Sequence, residues 1–178
     1  MNNSSNNHKG FTLIETLFAV LLFSASLVSL MAIAGRGIAA ANSAREQTTA
    51  HYLAQEGLEV VRNIRDSNFM NQGWDTGFSQ CTQNNPCHVE YTQTSIPTLE
   101  LCQTDPVNGC QVGINNDAFV NEGEGSPSGY LRKIYVIPGG IDPNTQTITE
   151  YQVVSKISWK SKTVDRAVTL ETLLKKWQ

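Results

Sequence analysis

The sequence predicts an α+β fold, one long N-terminal helix packed on a small antiparallel β-sheet. Three observations predict it: an apolar run near the N-terminus, an amphipathic helical stripe behind it, and alternating strand patterns after Tyr130. The 178 residues suit one modest domain with an appendage.

Residues 16–35, TLFAVLLFSASLVSLMAIAG, carry no charged side chain. As a helix they rise about 30 Å, the hydrocarbon thickness of a bilayer, so the sequence predicts a membrane-spanning half over 11–35. His8 and Lys9 precede it and Arg36 and Arg45 follow, so the flanking charges hardly set its orientation. The short polar leader is expected to stay in the cytoplasm while the remainder crosses. No proline occurs before Pro86, so no ring breaks the helix. Gly35 and Gly37 are its expected soft point, each costing about 1 kcal/mol relative to alanine.

Over 36–66 the helix turns amphipathic. Ala50, Leu53, Gly57, Val60 and Ile64 recur at spacings of three and four, with Glu56, Glu59, Arg62 and Asp66 elsewhere on the circumference. Glu59–Arg62 and Arg62–Asp66 are expected helix-neighbour ion pairs.

Residues 67–129 are rich in Asn, Gln, Gly, Ser, Thr and Pro and read as an irregular connecting region. A loop this long requires a functional or covalent reason, and Cys81, Cys87, Cys102 and Cys110 all fall inside it. Disulfides in an exported domain are expected, each contributing about 2–4 kcal/mol. Three connectivities are open, Cys81–Cys87 with Cys102–Cys110 being the simplest. A metal site with His88 is disfavoured because the tight C-x2-C knuckle is missing.

Residues 130–178 are predicted to form a three-stranded antiparallel meander, YLRKIYVI, ITEYQVVSKISWK and RAVTLETLL. Tyr151, Val153, Ile157 and Trp159 share one parity, and that face is expected to cover the helix stripe.

The net charge of −3 argues against general nucleic-acid affinity and leaves no clear nucleic-acid site. Residues 46–129 hold eleven acidic against two basic side chains and residues 130–178 eight basic against four acidic. That separation fits either an ordinary solvated surface or complementarity between subunits. His8, His51 and His88 accompany no nucleophile motif, so no enzyme and no cofactor is expected. Asn115, Asn116, Asp117, Asn121, Glu122 and Glu124 gather oxygen donors without the spacing of a calcium loop. Trp74, Trp159 and Trp177 read as packing or anchoring residues.

One charge remains to be explained. In HKGFTLIETLFAV, Glu15 interrupts the start of the apolar run. Gly10, Phe11 and Glu15, in the form KGFTLIE, resemble the type III signal of type IV prepilins and pseudopilins. AQEGLE, NIRD and the closing strands are similar to the minor pilins grouped as type IV pilus modification protein PilV. The resemblance implies a type IV pilin-like fold and a leader over 1–10. It implies a prepilin peptidase that cuts between Gly10 and Phe11 on the cytoplasmic side and methylates the new amine. It further implies residence in the inner membrane with the C-terminal domain outside, then assembly with other pilin subunits by helix bundling. The liberated Phe11 amine, with an unperturbed pKa of about 7.7–8.0, would be cationic one turn from Glu15. Between axially offset helices it would neutralise the carboxylate of a neighbour. Simple dipole stabilisation or snorkelling is the competing account of Glu15.

The expected role is a minor pilin that helps initiate, cap or modify a type IV pilus. A type II secretion pseudopilin is the alternative. A secreted protein cleaved near Ala32-Ile33-Ala34 or Gly37–Ala41 is a third.

Overall fold

The structure, a computed structural model, describes residues 10, 12–71, 73–90, 97–102, 110–116, 118–120 and 125–176. Among these described residues are one helix, α1 (Leu13–Asn71), and seven strands: β1 (Cys87–Glu90), β2 (Thr98–Leu101), β3 (Gln111–Asn115), β4 (Ala118–Val120), β5 (Ser126–Pro138), β6 (Glu150–Ser161) and β7 (Val164–Lys175). The chain divides into two units, residues up to Ala44 and residues from Arg45 onward.

In the first unit α1 passes through Gly35 and Gly37 without interruption. An alanine methyl at either glycine would meet nothing within 4 Å. The apolar window has a mean hydropathy of 2.5 and none of it is buried within the chain. Side chains such as Leu17, Phe18, Leu22 and Phe23 are all exposed. Hydroxyls inside the run are satisfied locally: Ser24, Ser26 and Ser29 donate to the carbonyl oxygens of Val20, Leu22 and Ala25. A helix apolar around its whole circumference requires an apolar solvent, and this back-bonding removes the polar groups that would oppose it.

In the second unit α1 packs on an antiparallel sheet. The expected stripe is the buried one: Ala50, Leu53, Val60 and Ile64 lie in the core, joined by Ala54, Leu58 and Val61. Gly57 packs tightly against the sheet, since a Cβ there would stand 2.9 Å from Ser155 Oγ and 3.3 Å from Arg132 Cδ. Glu59 pairs with Arg62 at 3.0 Å. Asp66 departs from expectation, because its carboxylate is bound by Arg65 at 2.7 Å rather than by Arg62. Arg62 instead donates to Thr172 Oγ1 at 3.0 Å, which ties the helix flank to β7.

β5, β6 and β7 form the predicted meander in continuous register, from Tyr130↔Trp159 to Pro138↔Tyr151 and from Glu150↔Lys175 to Ser161↔Val164. Tyr151, Val153, Ile157 and Trp159 are buried toward the helix, as their parity requires. The 67–129 region corrects the sequence reading. α1 runs on to Asn71, and four short strands follow where an irregular connection was expected. β3 pairs with the first half of β5 and β1 with Ile134 farther along the same edge. β4 and β2 lie outside them. Strands of three to five residues have too little periodicity to be legible alone, and they form because β5 offers an edge. Gly129, with φ at +80°, sits in the irregularity where β5 carries extra residues against β3.

Candidate processing and assembly site

The helix start has a local cause. Thr12 precedes Leu13, and its Oγ1 accepts a long hydrogen bond of 3.4 Å from the Glu15 N–H, while its carbonyl oxygen accepts from Glu15 and Thr16. Thr12-Leu13-Ile14-Glu15 therefore has the T-x-x-E spacing of a capping box, with Thr12 as N-cap and Glu15 at N3. That signal is legible in the sequence, beyond the features taken above to explain Glu15. It gives Glu15 a second physical role, as the acidic residue of the first helical turn.

Gly10 lies outside the helix and is exposed, and a Cβ placed there would meet nothing within 4 Å. An unobstructed, non-helical glycine just before a capped helix is an accessible backbone for a protease. Phe11 lies outside the described residues, as do residues 1–9, His8 among them. Glu15 itself is exposed within the first unit, among Leu13, Ile14, Leu17 and Phe18.

The cysteines are gathered along β5. Cys81 is bonded to Cys87, and Cys102 to Cys110. The Arg132 N–H donates to the Cys110 carbonyl at 2.8 Å, Ile134 is in register with Cys87, and the Val136 N–H donates to the Cys81 carbonyl at 2.6 Å. Each inward-facing residue of this β5 stretch thus meets a cysteine backbone. Cys81 and Cys87 are fully buried in the same apolar cluster as Trp74, Phe78 and Tyr151. His88 follows Cys87 and is itself buried. Among the described residues no group of three His, Cys, Asp or Glu side chains comes together. Of the acidic-loop residues, Asn115 and Asn116 are exposed, while Asp117, Asn121, Glu122 and Glu124 lie outside the described residues, as does Trp177.

Two polar groups that the sequence did not single out organise the helix–sheet interface. Arg132 shares the inward parity of Ile134 and Val136, is 1% exposed, and reaches Glu56 at 3.4 Å. Nearer the start of the second unit, Glu46 accepts from Trp159 Nε1 at 3.3 Å, and its carbonyl accepts from the Tyr130 hydroxyl at 3.3 Å. A hydrogen bond from Ser161 is the main reason the Glu46 carboxyl titrates below its ordinary range. The Trp159 bond and the charges of Arg166 and Lys162 act in the same direction.

Residues 5–33 match the family model of the prokaryotic N-terminal methylation motif. No curated protein and no solved structure matches the chain. The match begins at Ser5 and takes in Gly10, the capped turn with Glu15 and most of the apolar run. It supports the type IV prepilin-like class, whose members are built as a long N-terminal helix packed on an antiparallel sheet, the architecture found here.

Proposed function

We propose that the chain is a minor pilin that helps to initiate, cap or modify a type IV pilus, acting by assembly rather than by catalysis. A prepilin peptidase cuts between Gly10 and Phe11, the new amine is methylated, and the chain waits in the inner membrane with its second unit outside. Neighbouring subunits then bundle through α1. The observation that carries this reading is Glu15, an exposed carboxylate in the capped first turn of an uncovered apolar helix, just beyond an accessible glycine. A charge at that depth costs less than the roughly 2.5–3.5 kcal/mol of the span centre, and a neighbour's terminal ammonium offsets the remainder.

Two features support a minor over a major subunit. The apolar half of α1 has no proline, and the last cysteine, Cys110, falls well before the closing strands. Many major pilins have a proline in that half and a disulfide near the C-terminus.

The test separates capping from charge pairing. Glu15→Gln preserves the side chain that a capping box accepts but removes the charge, whereas Glu15→Ala removes both. Both variants are expected to insert into the membrane and to be lost from purified filaments. Normal filament incorporation of Glu15→Gln would reduce Glu15 to a cap. N-terminal sequencing of the exported chain should begin at Phe11, and a start at or beyond Gly35 would identify an ordinary secreted protein instead.

A further inference from the structure

The face of β5, β6 and β7 that points away from the helix carries a pair that sheet energetics disfavours. Its side chains stand in rows across the three strands, Leu131↔Ser158↔Ala167, then Lys133↔Lys156↔Thr169, then Tyr135↔Val154↔Glu171. Two lysines are therefore directly opposite, about 5 Å apart at Cβ, where like charges destabilise a sheet. Lys156 is exposed but Lys133 only partly so. Among the described residues neither ammonium has an ion-pair partner. Carboxylates along the same strands are engaged elsewhere: Glu171 accepts from Gln152 Nε2 at 2.7 Å, and Glu150 pairs with Lys175 at 3.1 Å. Asp165, two rows from the lysines, is in register with Lys160.

Both lysines line one groove of about 300 Å³, whose walls come wholly from β5, β6 and β7 of the second unit. Tyr135 and Ser158 bring hydroxyls to it, and Asp165, Arg166 and Ala167 line the part nearer the β6–β7 turn. Burial holds the Tyr135 phenol above its ordinary range, so it keeps its proton and can donate a hydrogen bond.

The residue type selects the ligand. Lysine acts as a point charge, and two of them side by side suit a group with two negative charges. A terminal phosphate carries about −1.5 to −2 at neutral pH and offers three acceptor oxygens. A carboxylate has a single charge, and its two oxygens are better matched by the planar fork of an arginine. A bound dianion would replace the repulsion between the lysines with two attractions.

We propose that Lys133 and Lys156 form a phosphomonoester site, in which the two ammonium groups share one terminal phosphate and the Tyr135 and Ser158 hydroxyls donate to it. The site belongs to the sheet and does not depend on what surrounds the apolar half of α1. A like-charge pair that lowers the stability of the sheet is accounted for by the ligand it holds.

The full chain, labelled with carbon-13 lysine and held in detergent micelles, would be titrated with inorganic phosphate and with glycerol 3-phosphate. The ε-methylene signals of Lys133 and Lys156, assigned by their loss in Lys133→Gln and Lys156→Gln, should shift together with a Kd of about 1 mM. Either substitution should weaken binding about tenfold, and dimethyl phosphate, a diester with one charge, should bind the parent about tenfold more weakly. In phosphate-free buffer Lys156→Gln should raise the urea midpoint, because the repulsion is gone. Phosphate at about ten times its Kd should raise the midpoint of the parent and not of the variant. Shifts that chloride reproduces at matched ionic strength, or a midpoint response that persists in Lys133→Gln with Lys156→Gln, would mean an adventitious ion only and overturn the proposal. Acetate binding as tightly as phosphate would also overturn it, assigning the pair to a carboxylate of a neighbouring subunit. A Lys156→Gln chain less stable than the parent would show that the lysines support the sheet, and would overturn it as well.

Discussion

Gly57 packs tightly against the sheet, and it gives a calculation whose sign is not obvious. Replacing a mid-helix glycine with alanine gains about 1 kcal/mol in helix propensity. Here the new methyl would stand 2.9 Å from Ser155 Oγ, 3.3 Å from Arg132 Cδ and 3.5 Å from Ile134 Cδ1. All three residues are at most 1% exposed, so none can move outward. Overpacking of this kind costs about 1–3 kcal/mol, so Gly57→Ala should destabilise by about 1 kcal/mol net. Ser155 Oγ finds no hydrogen-bond partner among the described residues, so Ser155→Ala removes a desolvated hydroxyl and should stabilise by about 1 kcal/mol. In the double variant the Gly57→Ala methyl occupies the vacated space. The helix gain is then recovered, and stability should exceed the parent by about 2 kcal/mol, a coupling of about 2 kcal/mol between the two sites. Urea unfolding of the full chain in detergent micelles, followed by near-ultraviolet circular dichroism, measures each corner of the cycle. A Gly57→Ala protein as stable as the parent, or a Ser155→Ala change that fails to reverse the loss, would refute this account of the interface.

Other expectations follow from the same geometry. Burial, with the Asp75 carboxylate adding, pushes the Tyr151 phenol up to about 12, whereas it titrates near 10 when unfolded. Its folded form holds the proton more tightly, so its contribution is complete below about pH 10 and is lost as pH rises through about 12. Tyr151→Phe should flatten most of that slope in alkaline unfolding, leaving the part due to Tyr130 and Tyr135, which burial also raises. Removing either cysteine pair, as Cys81→Ser with Cys87→Ser or Cys102→Ser with Cys110→Ser, should cost about 2.5 kcal/mol by loop-closure entropy for sequence separations of 6 and 8. Mass analysis of the exported chain with and without reductant reports whether both pairs are oxidised, and a mass unchanged by reduction would remove this prediction. Gly35→Ala and Gly37→Ala have open space around them, so each should raise the helicity of the chain in micelles. A fall would reveal a need for flexibility there.

The features determined by sequence alone are those with a local physical cause. Residues 16–35 exclude charge, so their solvent is legible without a structure. The three-and-four spacing of Ala50, Leu53, Val60 and Ile64 and the alternation of Tyr151, Val153, Ile157 and Trp159 identify buried faces because helix and strand periods are fixed by backbone geometry. Thr12-x-x-Glu15 was equally local and equally readable as a cap. Tertiary structure decided what depends on a partner distant in sequence. In the 67–129 region β1 and β3 form on the edge that β5 offers and β2 and β4 add outside them, and their own pattern is too short to declare them. Arg132 is buried because its strand parity places it under Glu56, where a contact with a helix remote in the chain offsets its desolvation. Glu46 and Trp159 meet for the same reason, since hydrogen-bond partners 113 residues apart are brought together by packing and not by spacing.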